Sequence, residues 1–300
     1  MAPPSSLFPI YVDGTPDAAA ALARLVDRGE SDFTRVEQDV RAILAAVRAE
    51  GDAAVLRFAE RFDKRRPEAL LVRAFGGREA LARLAPSARA SMETAAARIR
   101  VFHERQKANE ARTFRYTDED ECELGTRVLP VLRAGVYAPG GKARYPSSVL
   151  MAAIPAAVAG VQEIILATPL AGDASDDPLF AAAYLSGVTA ILDAGGAQAI
   201  GALAYGTASV PRVDKIVGPG NLYVACAKRL VYGAVDIDGI AGPSEILVVA
   251  DGTADPAVVA ADLLSQAEHD EAAYPLLACA SVEFAKAVVA EVERQLALLP

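Results

Sequence analysis

Histidine and cysteine are both scarce in this chain of 300 residues, and each shortage excludes something. The two histidines, His103 and His269, make no His-rich tract. Cys122, Cys226 and Cys279 are odd in number, far apart and without a CxxC pair, which argues against a disulfide framework and a cysteine zinc site. They read as packing residues in a reducing cytoplasm. Basic charge is short as well. Thirty Lys and Arg against 39 Asp and Glu leave a formal net charge of −9, a poor match for nucleic acid or an anionic membrane. The longest apolar run, 149–161, contains Pro155 and is too short to span a bilayer. MAPPSSLFPIYVDG at the amino terminus lacks the basic and apolar regions of a secretory signal. With 53% hydrophobic and 23% charged residues, the composition describes a globular chain with a proper core, as one large domain or two ordinary ones.

The first third has helical periodicity. Thr15-Pro16 opens a short helix, and Val36, Val40, Ile43, Leu44 and Val47 predict a second over 35–50, stopped by Gly51. Residues 52–62 make a third, a short strand lies within 67–77, and Pro86-Ser87 opens a long helix to about Lys107. His103 on that helix, among Arg100, Glu104 and Arg105, reads as exposed and without function. ECELGTRVLPVLRAG suggests strands joined by a glycine turn. Beyond it, short apolar runs at 134–138, 163–168, 190–193, 214–217, 245–250 and 275–280 alternate with Ala-rich helical stretches. Such alternation predicts a parallel sheet covered on both faces, with ligands bound in the turns at the carboxyl ends of its strands.

Those turns are rich in glycine but fit neither standard nucleotide fingerprint. Lys142 in APGGKARYPSS lacks the spacing and the following Ser or Thr of a phosphate loop, and Gly195, Gly196 and Gly201 fail GxGxxG. VGPGNLYVA allows a tight turn at 218–220 and puts Asn221 at a helix start. Free backbone N–H groups there can hold an anion, although capping explains the asparagine equally. Residues 241–270 read as turn, strand, turn and helix. In the helix opened by Asp255-Pro256, Val259, Ala260, Leu263, Leu264 and Ala267 form an apolar stripe, while Asp262, Gln266 and His269 gather on the other side. On spacing alone that face reads as an ordinary solvated one, and Gly242-Pro243-Ser244-Glu245 as an ordinary turn.

Six strings taken together say more. GVYAPGGKARYPSSVLMAAIPA, GGAQAIGALAYGT, VDKIVGPGN, AKRLVYG, IAGPSEILVVAD and ADLLSQAEHD, in this order, resemble histidinol dehydrogenase over most of residues 31–300. The resemblance implies oxidation of L-histidinol through histidinaldehyde to L-histidine, the last steps of histidine biosynthesis, by a cytoplasmic homodimer using NAD and zinc. It implies an α/β fold: two incomplete Rossmann-like domains with parallel sheets, plus a helical amino-terminal segment. Residues 1–30 would be that segment, 31–134 with 241–300 the first domain, and 135–240 the second, NAD-binding domain. Tyr137, Gln198 and Asn221 would contact NAD. Ser244, Gln266 and His269 would contact the substrate, and Gln266 and His269 would also ligate zinc. An imidazole and a neutral amide oxygen are too few ligands for that ion, so others must complete the site.

Family chains continue well past the position matching Pro300. That further part supplies an Asp and a His to the zinc, a Glu to the substrate and an adjacent Glu-His acid/base pair. No catalytic residue is therefore expected within 1–300, which would be the amino-terminal part of a longer enzyme and inactive alone. The alternatives are a naturally shortened, non-catalytic homologue that binds NAD or substrate, and a dehydrogenase of a related amino alcohol.

Overall fold

Local capping sets the early helices. The computed structural model describes residues 8–26, 28–110, 112–140, 145–240, 245–268 and 273–299, with only the backbone described at 28–32. Helix α1 (Pro16–Val26) has proline at its first position, and Thr15 Oγ1 accepts the Ala18 N–H at 3.3 Å. Helix α2 (Arg28–Glu50) starts seven residues earlier than its apolar pattern predicts and ends at Gly51, whose φ of +59° suits glycine. Helix α3 (Asp52–Phe62), strand β1 (Leu71–Val72), helix α4 (Gly77–Arg83) and helix α5 (Pro86–Asn109) follow. A hairpin of β2 (Phe114–Thr117) and β3 (Glu123–Thr126) comes next. Gly125 lies inside β3 and not in the turn, correcting the glycine turn expected there. Instead the Asp118 carboxylate accepts the Asp120 and Cys122 N–H groups and closes the bend itself.

The chain divides into two units, Met1–Arg35 with Ala241–Pro300, and Val36–Ile240. In the second unit strand and helix alternate: β4 (Arg133–Tyr137), α6 (Pro146–Ala159), β5 (Glu163–Ala167), α7 (Asp177–Ser186), β6 (Ala190–Leu192), α8 (Gly196–Tyr205), β7 (Lys215–Val217), α9 (Leu222–Val231) and β8 (Asp236–Ile237). The sheet order is β1-β6-β5-β4-β7-β8, parallel throughout except that β1 joins β6 antiparallel. From β4 the chain thus builds outward to β6 on one side and then to β8 on the other, the doubly wound Rossmann pattern. The α/β class expected from the alternation is the one observed. β1 places part of the 36–134 stretch in the same sheet as the strands of 135–240, a joining that the division read from the resemblance does not contain.

Both faces of this sheet are covered, as parallel sheets require. On one, Val136, Ile164, Leu166 and Ile191 of the strands pack with Val149, Ile154 and Leu179 of α6 and α7, and with Ala96 of α5. On the other, Gly201 of α8 lets α2 come close: a Cβ there would meet Leu44 at 3.1 Å and Val47 at 3.3 Å. Helix α4, absent from the pattern reading, is tied to α7 by a two-pronged Arg83–Asp177 ion pair at 2.8 and 2.6 Å.

The first unit holds β9 (Glu245–Ala250), α10 (Pro256–Ala267), β10 (Tyr274–Cys279) and α11 (Val282–Leu296). The two strands pair in parallel, and Val259, Ala260, Val288 and Val292 of the helices pack on Val248 and Leu277. The predicted stripe of α10 holds as far as Leu264, but Ala267 is exposed. On β9, Leu247 and Val249 are 59% and 76% exposed, so this sheet carries an open apolar face. Cys122 is exposed, which removes it from the expected packing residues, while Cys226 is buried. His103 is half-buried and pairs with Gln106 at 2.8 Å, where full exposure was expected. Among the described residues no helix is long and apolar enough to cross a membrane.

Candidate functional site

Strand order reverses between β4 and β7, and the carboxyl ends of the strands at such a reversal are where doubly wound sheets bind ligands. The three predicted cofactor residues stand at that edge. Tyr137 is the last residue of β4 and is buried. Gln198 lies in the first turn of α8, 1% exposed. Asn221 caps α9, its Oδ1 accepting the Val224 N–H at 3.1 Å.

Two glycine turns meet Tyr137 there. From the β6 side, the Gly196 N–H donates to Tyr137 Oη at 3.0 Å. Gln198 folds back over the same glycine, since a Cβ on Gly196 would stand 2.8 Å from Gln198 Oε1. From the β7 side, Gly218 at φ +117° runs against the Tyr137 backbone, where a Cβ would come within 2.1 Å of the carbonyl oxygen. The structure therefore joins Tyr137 and Gln198 through Gly196, and sets the Gly218–Asn221 turn beside Tyr137.

The electrostatics suit a polar ligand. Burial pushes the Tyr137 phenol up to about 12; the Gly196 hydrogen bond opposes this and the Asp63 carboxylate adds to it. The hydroxyl therefore keeps its proton at neutral pH and remains a donor. Asn221 satisfies only one N–H of the first turn of α9, and helix geometry leaves those of Leu222 and Tyr223 without intrahelical partners.

Several residues at this edge escape sequence reasoning. Asp63, just past α3, is held by the Gly195 N–H. Burial raises its carboxyl pKa, Arg65 pulls it down, and Oδ2 is buried with no hydrogen-bond partner. Arg65 pairs with Asp193, which follows β6 and accepts the Leu170 N–H at 2.8 Å. Lys228 of α9, 3% exposed, donates to the Gly218 carbonyl at 2.9 Å and pairs with Asp238. The partners of Asp63 and Arg65 lie far off in the chain and those of Lys228 ten residues to either side, so no local pattern announces them; only AKRLVYG, a string that carries the resemblance, contained Lys228. Elsewhere in the second unit a cleft of about 430 Å³ lies between Asp52, Leu56, Glu68, Leu70, Arg73 and Ser209, and it includes none of the predicted site residues.

On the substrate side, Ser244 and His269 lie outside the described residues. Gln266 sits in the last turn of α10, half-buried, with Asp262 exposed one turn earlier. A lone amide oxygen does not hold a zinc ion, and among the described residues no group of three or more His, Cys, Asp or Glu is placed to do so. The described residues by themselves do not make a zinc site.

A family profile described as histidinol dehydrogenase matches residues 26–300. The histidinol dehydrogenase of Cupriavidus pinatubonensis is 50% identical over 289 residues, covering 95% of this chain and 65% of its own length. That of Syntrophotalea carbinolica is 52% identical over 285 residues, covering 94% and 65%. The crystal structure of histidinol dehydrogenase from Elizabethkingia anophelis matches with a TM-score of 0.76 at 35% identity, over 88% of this chain and 61% of that one. The chain thus spans about two thirds, 65%, of the length of the curated relatives it matches.

Proposed function

The chain belongs to the histidinol dehydrogenase family, and from that premise we propose that it binds NAD at the strand reversal between β4 and β7. A protein carrying this chain, together with the part of its relatives that it does not span, would oxidise L-histidinol through histidinaldehyde to L-histidine. The observation that carries the reading is the convergence of Tyr137, Gln198 and the Gly218–Asn221 turn on one sheet edge. When bound, NAD supplies the hydride acceptor. The protein's own part here is binding and orientation of the cofactor. Tyr137 offers a protonated hydroxyl, Gln198 an amide set at the start of α8, and Asn221 fixes the α9 N-terminus whose N–H groups suit a pyrophosphate.

On the substrate side, Ser244, Gln266 and His269 would contact histidinol, the last two also ligating zinc with donors from outside this chain. The acid/base pair would likewise come from outside it. Base catalysis of that kind supplies about 10²–10⁴-fold, so residues 1–300 alone should bind NAD without turnover. We place the enzyme in the cytoplasm as a homodimer, with the unit of Val36–Ile240 carrying the NAD site. Calorimetric titration of the chain with NAD, and NADH formation from L-histidinol by a chain extended over the relatives' remaining length, test this. Binding without turnover in the first case and turnover in the second are expected. Histidinol oxidation by 1–300 unaided refutes the division of labour, and an extended chain that reduces NAD only with another amino alcohol refutes the substrate.

A further inference from the structure

The turn after β7 is held from both sides of one glycine. Gly218 donates its N–H to Asp238 Oδ2 at 2.8 Å, and its carbonyl accepts from Lys228 Nζ at 2.9 Å. Lys228 and Asp238 also pair with each other, and Asp238 Oδ1 accepts the Gly239 N–H at 2.8 Å. Lys228 is 3% exposed and lies on α9, ten residues beyond Gly218; Asp238 directly follows β8. A lysine buried to this degree is weak evidence of stability, because an apolar side chain of similar volume often serves the core as well. What it does here is geometric. Gly218 adopts φ +117° against the Tyr137 backbone, one of many conformations open to glycine, and the hydrogen bonds to both of its backbone groups select it.

We infer that Lys228 and Asp238 are positioning residues for the dinucleotide. They act through Gly218, fixing the turn whose far end is Asn221 and whose near side abuts Tyr137. This rests on the reading of that edge as the NAD site. The pair touches no ligand; it sets where the α9 N-terminus and Asn221 stand relative to Tyr137.

The test uses the chain as it is, with NAD titration and amide hydrogen exchange on Lys228→Met, Lys228→Arg and Asp238→Asn. Lys228→Met should weaken NAD binding by about tenfold or more, as displaced positioning groups do, with faster exchange confined to 216–222. Lys228→Arg, which keeps the charge and donors, should recover most of the affinity, and Asp238→Asn should resemble Lys228→Met. Unchanged NAD affinity in Lys228→Met overturns the inference, as does a loss accompanied by faster exchange throughout the sheet. If the parent chain binds no NAD, the proposed function fails. Exchange at 216–222 then still decides whether Lys228 holds the turn: unchanged exchange there refutes it, and local acceleration upholds it.

Discussion

Replacing Gly218 by alanine measures how closely the two central strands' turns approach. The residue sits at φ +117°, and an added Cβ would stand 2.1 Å from the Tyr137 carbonyl oxygen, 3.0 Å from its carbon and 3.1 Å from its nitrogen. Those atoms belong to a central strand and cannot rotate away. Two terms add. Backbone strain at such a φ costs about 1–3 kcal/mol, and forcing a methyl group into a filled space costs roughly another 1–3. For a folding unit of this size each kcal/mol lowers the melting temperature by about 2–4 °C, so Gly218→Ala should melt roughly 10 °C below the parent. Gly233→Ala is the control, because Gly233 has φ +94° but nothing within 4 Å of an added Cβ. It carries the strain without the clash and should fall by about half as much. Thermal melts followed by circular dichroism separate the two. Equal shifts would show that Gly218 has room on its Tyr137 side, and the picture of two turns pressed together at the site would be wrong.

Tyr137→Phe leaves the half-buried Gly196 N–H without this acceptor and should cost about 1 kcal/mol at neutral pH. Because burial raises this phenol from 10.0 to about 12, its contribution is complete below the ordinary value and is lost as pH rises through that window; melts across alkaline pH should fall more steeply for the parent than for the variant. Asp63 has the analogous sign, a carboxyl raised by burial whose stabilising contribution is present in acid and lost as pH rises. Asp63→Asn should therefore melt at or above the parent at neutral pH and lose that advantage in acid, and a variant worse than the parent at neutral pH would show that the charge is needed. Glu163 is held low by Arg73 and also by Arg133, so Glu163→Gln should destabilise at neutral pH, with the difference fading as pH falls below the usual carboxylate range. Val249→Lys on the open face of β9 should reduce self-association of the chain in light scattering; an unchanged particle size would show that this face is not sticky.

The strands of the second unit were legible because parallel strands buried on both faces are unbroken apolar runs, and their turns follow directly. In the first unit, Glu245–Ala250 is legible residue for residue, although one of its faces is open. Two-residue strands have no period to read, so neither the antiparallel partner that β1 finds in β6 nor β8 was visible. The polar start of α2 and the short α4 likewise carry too little periodicity. At the site, spacing pointed to the glycine turns, while Tyr137 and Gln198 stood out only through the resemblance. Asp63, Lys228 and Asp238 were missed because each is defined by a backbone group it meets in the folded chain, and such meetings leave no local trace.

The strand order also dictates when the site can exist during folding. β4 gains its neighbour β7 through the register Ala134↔Lys215, after β5 and β6 have been laid down on its other side. A chain folding from its amino terminus can thus complete half a sheet, with β1 already closing the outer edge at Leu71↔Leu192, and still lack one wall of the ligand edge. Pairing across so many residues is slow relative to the local helices. Binding at this edge would then require β7 together with Asp238 after β8, which holds its turn, making it a reporter of late assembly in this unit.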